Sequence, residues 1–396
     1  MGRSLHHHKN SLMKNPIYLC LAHMGGSEQR YIQEAFDTNW VVPLGPNVNG
    51  FEEDLERFLQ SGTTSTPASH VCALSAGTAA LHLAMVLLGI KVGDEVICQS
   101  FTFAASANPI TYQGATPVFI DSEADTWNMS PQLLQEAIED RISKTGKKPK
   151  AIIVVHLYGM PAKMEEIMAI AEHYDIPIVE DAAEALGSSY NGQHCGTFGE
   201  YGILSFNGNK MITTGGGGAI VCKTQEAKQR ALFYATQARE SFPYYQHEYI
   251  GYNYRLSNIC AGIGRGQMEV LDQHIAHHQH IAELYAQAFT DNPFITLHTN
   301  PDTISNSNYW LNTIILSENA PCSTDDIREA LAKENIESRP LWKPMHLQPV
   351  FQNAPAYVNG VSEKIFQHGL CLPSGPWVSD KDVQRIVDIC LSTLSV

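Results

Sequence analysis

Positive charge is scarce in this chain. Its 396 residues hold 26 Lys and Arg against 41 Asp and Glu, a formal net charge of −15. Such a balance argues against nucleic acid as a partner, because gripping phosphate backbones takes clustered cations. Paired cysteines are missing as well. The nine cysteines form an odd set without a C-x-x-C, and Cys72, Cys98, Cys222 and Cys260 lie among apolar or small residues. That usage suits buried free thiols in a reducing, cytoplasmic setting. No secretory leader is visible in the polar "MGRSLHHHKNSLMKNP", so residues 1–12 read as an extension or cloning remnant before a natural start at Met13. The longest apolar run, "VCALSAGTAALHLAMVLLGI" at 71–90, has the length of a membrane span. Ser75, Gly77, Thr78 and His82 interrupt it and "KVGDE" follows, so it reads as a buried core helix and no membrane partner is expected. Internal repeats and low-complexity linkers are absent too.

What is present is a 44% hydrophobic content, enough core for one large α/β domain and a smaller one. From residue 71 helical and strand-like runs alternate, the pattern of βαβ units. "EVICQSFTF", "ATPVFID", "KAIIVVHLYG", "IPIVEDAAEALGS" and "YGILSFN" are short apolar runs ending in polar or small residues. Between them, Met164, Ile167, Met168, Ala171 and Tyr174 share one helix face, and Ser130 followed by Pro131 marks a helix start. The fold class expected is α/β, with a mostly parallel central sheet flanked by helices. Residues 13–266 would form the large domain and 267–396 a smaller C-terminal α/β domain.

Chemistry gathers at the strand ends. Asp181 closes the run of Ile176, Ile178 and Val179, and ligands of open α/β sheets bind at that lip. Taken alone, Asp181 reads equally as a helix N-cap. Lys210 follows the next strand in "SFNGNKMITTGGGG", so both side chains could face one cleft. A buried amine loses its proton more readily and attacks aldehydes. A Schiff-base lysine with an acidic partner for a pyridine nitrogen is the pairing that pyridoxal phosphate requires. Most lysines merely snorkel at the surface, but few sit in such apolar and small-residue company. For the phosphate, Gly77 and Thr78 open a helix whose N–H groups and dipole attract anions, and Ser205 offers a hydroxyl. Gly215 to Gly218 would let the chain pass closely behind a cofactor, and since they follow the lysine they are no Walker loop.

Together "SAGTAALHLA", "SFTFAASANPI", "GATPVFID", "HLYGMPAKM", "EDAAEALGS", "GTFGEYGILSFNGNK", "ATQARE" and "GYNYRLSN" resemble, in order, the DegT family of pyridoxal-phosphate-dependent nucleotide-sugar aminotransferases. The resemblance runs from about residue 15 to 383 and implies the fold type I architecture. In "SFNGNK" and "RPLWKPMH" it is most similar to enzymes that aminate C4 of a UDP-linked 4-keto-6-deoxy-N-acetylhexosamine for surface polysaccharide or glycoprotein glycans. It implies that Lys210 and Asp181 form the catalytic pair, Lys210 as the Schiff-base lysine and Asp181 at the pyridine nitrogen. Phe103 would stack on the ring with Glu184 beside it, and Gly77, Thr78 and Ser205 would hold the phosphate. Asn253 would reach the neighbouring subunit's cofactor, making a homodimer with shared active sites. Relatives that dehydrate sugars carry histidine in place of this lysine, so the intact Lys210 implies transamination. L-glutamate would leave as 2-oxoglutarate, the cofactor would pass through pyridoxamine phosphate, and the ketosugar would leave as an aminosugar. His346, Arg339 and Lys343, with Trp342, would meet the anionic substrate.

The same motifs fit 3-keto or dTDP-linked substrates, and a non-catalytic regulator is the reading from another class. His274, His277, His278 and His280 come close enough to suggest a metal site, but nothing completes a ligand set; a polar helix face and no metal are expected. Arg239 is either structural or substrate-facing.

Overall fold

The structure, a computed structural model, describes residues 15–61 and 68–395; the expected extension at 1–12 lies outside them. Two helices, α1 (Glu28–Asp37) and α2 (Pro46–Gln60), precede the first strand, β1 (His70–Leu74), and helix α3 (Gly77–Leu87) follows. The apolar run 71–90, expected as one helix, therefore divides into a strand and a helix. Ser75 and Ala76 make the break, and the extended backbone of Ala76 caps α3.

Strands β2 (Glu95–Gln99), β3 (Thr116–Ile120), β4 (Ala151–Val155) and β5 (Ile178–Asp181) come next. With β1, Tyr201–Ser205, Gly218–Cys222 and the short Ala356–Tyr357 they make one eight-stranded sheet. Its order is β1, Gly218–Cys222, Tyr201–Ser205, β5, β4, β2, β3, Ala356–Tyr357. All pairings are parallel except those of Gly218–Cys222, which is antiparallel to both neighbours. Both faces are covered, as parallel sheets require. Val96, Cys98 and Ile153 pack with α3 on one side, while Ile97, Ile152 and Val154 pack with the helices Pro131–Thr145 and Met164–His173 on the other. Ser130 caps the first of these, its hydroxyl accepting from the Leu133 N–H at 3.3 Å, a contact of about 1 kcal/mol.

The helices Asn258–Met268 and Leu271–Phe289 lead to a four-stranded antiparallel sheet of Ile295–Leu297, Asn312–Leu316, Gly369–Leu372 and Arg339–Pro340. Ser323 and Ser379 form capping boxes on the helices behind it. Strand pairings cross between the parts of the chain: Ile17 pairs with Ile336, Ser305–Asn306 pairs with Ser189–Tyr190, and Ala356–Tyr357 extends the large sheet beside β3.

The four histidines do not form one polar helix face, which corrects that expectation. His274 and His278 are buried, with the Met211 and Tyr309 carbonyls at their Nδ1 atoms, whereas His280 pairs with Asp380 at the surface. The spacing i, i+4 turns one pair toward the core. Among the described residues no group of three or more His, Cys, Asp and Glu is arranged to hold a metal ion. No helix among them is long and apolar enough to cross a membrane.

Candidate active site

Three neighbouring elements end at one place. Asp181 is the last residue of β5, Ser205 the last of the adjacent parallel strand, and α3 begins at Gly77. The start of α3 has no side-chain cap, and Ala76, Gly77 and Thr78 are only partly covered. Its first N–H groups therefore remain available to an anion. A Cβ on Gly77 would lie 3.1 Å from Ser205 Cβ and 3.5 Å from its Oγ, so helix start and hydroxyl share one cradle. A Cβ on Gly218 would come within 2.3 Å of the Gly77 nitrogen. The last of the four glycines thus lets its strand press against the helix start.

Asp181 is nearly buried, at 9% exposure. Its Oδ2 accepts from Ser106 Oγ at 2.6 Å and its Oδ1 from the Ala183 N–H at 3.2 Å. An ionised carboxylate has about four acceptor sites, so capacity is left for an outside N–H. Ser106 in turn meets Thr102 Oγ1 at 2.7 Å.

Lys210 lies in the turn after Tyr201–Ser205, its N–H bonded to the Asn207 carbonyl. Its Nζ is 4.1 Å from the centroid of the Trp310 ring, a cation–π contact. Trp310 is held by its Nε1–H on the Asn209 carbonyl and by Asn308, whose Oδ1 accepts from the Trp310 N–H and whose amide donates to the Glu184 and Leu186 carbonyls. Tyr158 stacks between Trp310 and Trp342, and Phe103 meets Trp342 at 5.4 Å. Phe103 is 55% exposed, an apolar face available for a planar ligand.

Glu184 is buried, and its carboxylate accepts from the Tyr158 N–H. Burial pushes its carboxyl above the usual range, while the Lys210 charge pulls it back and Asp181 adds to the rise. Tyr158 has φ 55°, a strained conformation for a buried aromatic. The geometry therefore brings Gly77, Ser205, Asp181, Lys210, Glu184 and Phe103 into one neighbourhood.

The remaining expected residues are placed differently. His346 is half-buried at the end of β2, its Nδ1 2.6 Å from Ser100 Oγ, and burial pushes its imidazole pKa down. Arg339 is exposed and paired with Glu337 at 2.7 Å; Lys343 is exposed. Asn253 is also exposed, on a segment tied to the β1–α3 turn by the Ser75 N–H on the Tyr254 carbonyl and to α2 by a buried Arg255–Glu52 ion pair. Arg239 lies over the Tyr245 ring. Thr102, Ser106, Tyr158, Asn308 and Trp310 escaped sequence reasoning. Only the exposed Phe103 beside two hydroxyl residues in "SFTFAAS" hinted at the first two.

A donor-lined phosphate cradle, a buried carboxylate with spare acceptor capacity, an exposed aromatic face and a nearby lysine fit pyridoxal phosphate. On this sheet they define a fold type I pyridoxal-phosphate-dependent aminotransferase. Comparison with known proteins agrees: the model of the DegT/DnrJ/EryC1/StrS aminotransferase family matches residues 23–390. EpsN of Bacillus subtilis (strain 168), assigned by name to the pyridoxal phosphate-dependent aminotransferases, is 48% identical over 96% of each chain. GDP-perosamine synthase of Escherichia coli O157:H7 is 37% identical over 93% of this chain and 94% of its own. The crystal structure of a DegT DnrJ EryC1 StrS aminotransferase from Brucella abortus superposes with a TM-score of 0.85 at 30% identity, covering 93% of this chain and 96% of that one. The chain belongs to the DegT/DnrJ/EryC1/StrS family, and it is a pyridoxal-phosphate-dependent sugar aminotransferase.

Proposed function

We propose that this aminotransferase moves the amino group of L-glutamate to C4 of a UDP-linked 4-keto-6-deoxy-N-acetylhexosamine, in the cytoplasm, for surface polysaccharide or glycoprotein glycans. The observation that carries the transamination chemistry is Lys210, whose Nζ sits over Trp310 with the buried carboxyl of Glu184 nearby. When bound, pyridoxal phosphate supplies an aldehyde that captures amines and a ring that takes up electrons. The N–H groups of Gly77 and Thr78 with the Ser205 hydroxyl would hold its phosphate, and Phe103 would cover the ring. Asp181 would face the ring nitrogen and favour its protonated form. Lys210 Nζ would anchor the cofactor at rest and would carry the proton to and from the nitrogen-bearing carbon in both half-reactions. Glu184 borders that path. The partner subunit's Asn253 completes the phosphate site in a homodimer, and the exposed apolar stretch Trp40, Val41, Val42 and Leu44 suits such an interface.

His346, Arg339 and Lys343 meet the diphosphate and sugar. The UDP assignment rests on the likeness of "SFNGNK" and "RPLWKPMH" to enzymes with that substrate. A second reading, a GDP-linked sugar, is favoured by the name of the 37% identical relative. The test is incubation with glutamate and UDP-, GDP- or dTDP-linked 3-keto and 4-keto sugars, with the aminated position read by NMR. Amination of the UDP-linked 4-keto sugar alone supports the proposal; a 3-amino product, or turnover only of another nucleotide's sugar, overturns it.

A further inference from the structure

One buried hydroxyl has a role that the cofactor assignments leave open. Ser106 is 1% exposed, Thr102 2% and Asp181 9%, and their oxygens form a continuous chain: Thr102 Oγ1 to Ser106 Oγ at 2.7 Å, Ser106 Oγ to Asp181 Oδ2 at 2.6 Å. Proton accounting gives this chain a direction. An ionised carboxylate only accepts, so Ser106 must donate its single proton to Asp181; Thr102 must then donate to Ser106. A hydrogen bond onto a charged group is among the strong ones, and shielding from water strengthens it further. Both hydroxyls stand in the segment 102–106, which also carries Phe103 at the start of a single helical turn, Ala104–Ser106. One short segment therefore governs the ring's face through Phe103 and its edge through the carboxylate.

We infer that Ser106, backed by Thr102, is a positioning residue that holds the Asp181 carboxylate aimed at the place the cofactor's ring nitrogen would take. The inference rests on the proposed pairing of Asp181 with that nitrogen. Removing the Ser106 hydroxyl takes away the donor on Oδ2 and frees the carboxylate to rotate. A carboxylate no longer held in place would meet the ring nitrogen less well, and the part of cofactor binding that runs through that nitrogen would weaken. Removing Thr102's donor acts in the same direction at one remove.

The test compares apoprotein affinity for pyridoxal phosphate with that for its carbocyclic 1-deaza analogue, which has every cofactor contact except the ring nitrogen. Dissociation constants are read from tryptophan fluorescence, with no turnover required. Ser106→Ala should weaken pyridoxal phosphate by about tenfold, the size of one hydrogen bond to a charged group, and leave the analogue within twofold of the unmodified protein. The near-isosteric Thr102→Val should show the same selective loss, smaller in size, which guards against a folding defect in the first variant. Equal losses for both ligands, or no loss for either, would overturn the inference. Asp181→Asn is the reference: if it fails to discriminate the two ligands, the Asp181 pairing is wrong and the inference falls with it. If it discriminates while Ser106→Ala does not, the pairing stands and only the role of Ser106 is refuted.

Discussion

Gly218→Ala addresses the phosphate cradle without replacing any residue that would bind the cofactor. The added Cβ would lie 2.3 Å from the Gly77 nitrogen and 2.4 Å from the Ala76 carbonyl carbon. Both are backbone atoms of the α3 start, so no side chain can swing away. Ordinary contact begins near 3.4 Å, and reaching it asks for about 1 Å of separation between α3 and the strand Gly218–Cys222, twice the roughly 0.5 Å that a binding site tolerates. Overpacking of this kind costs about 1–3 kcal/mol of stability. The shift also draws the α3 N–H groups away from Ser205 Oγ; losing one charge-assisted hydrogen bond to the phosphate weakens pyridoxal phosphate by about 10–100-fold. The assay is a fluorescence titration of apoprotein with pyridoxal phosphate and, in parallel, with phosphate-free pyridoxal, whose weaker binding should change little. Gly216→Ala is the internal control, because its Cβ would meet nothing within 4 Å. Affinity for pyridoxal phosphate within twofold of the unmodified protein in Gly218→Ala, or equal losses in the two glycine variants, would refute the cradle.

Trp310→Leu removes the face under Lys210 Nζ and the donor to the Asn209 carbonyl; the glutamate half-reaction, followed by bleaching of the bound cofactor, should slow about 3–30-fold, the scale of a cation–π contact. Burial holds His278 and His298 down to about 3 and about 4, so both are neutral when folded and bind protons only once unfolded. Their contribution to stability is complete above pH 6.5 or so and is lost as the pH falls toward 4 and then 3; Tm measured from pH 7 to 4 should fall less steeply in His298→Gln, and an unchanged slope would exclude this origin. If the partner subunit's Asn253 completes each site, mixing inactive Lys210→Ala protein with Asn253→Ala protein should recover about a quarter of the activity at limiting cofactor, because each mixed dimer rebuilds one intact site. Recovery no greater than that of the separate proteins would refute the shared site.

The strands that bear the site were legible because a parallel strand buried on both faces is an apolar run, and Asp181 and Ser205 stand where such runs stop. β1 was not, since "VCAL" continues without a charge into the equally apolar α3 and only Ser75-Ala76 marks the change of period. Lys210 and Asp181 could be paired from chemistry and spacing. Ser106 could not be attached to Asp181, 75 residues away, nor Trp310 to Asn209, 101 residues away, because only the closed sheet and its packed second layer bring them together. The four histidines mislead for the opposite reason. Their closeness in sequence suggests one shared surface, whereas a helix distributes them between core and solvent.

Lys210 is the residue proposed to anchor the cofactor. Reduction of the yellow protein with borohydride, followed by proteolysis and mass spectrometry, measures this directly. A single pyridoxyl-modified residue is expected, Lys210 in the "SFNGNK" segment, with no modification when glutamate is added before the reductant. Label on any other lysine, or a Lys210→Ala protein that still takes up label, would contradict it.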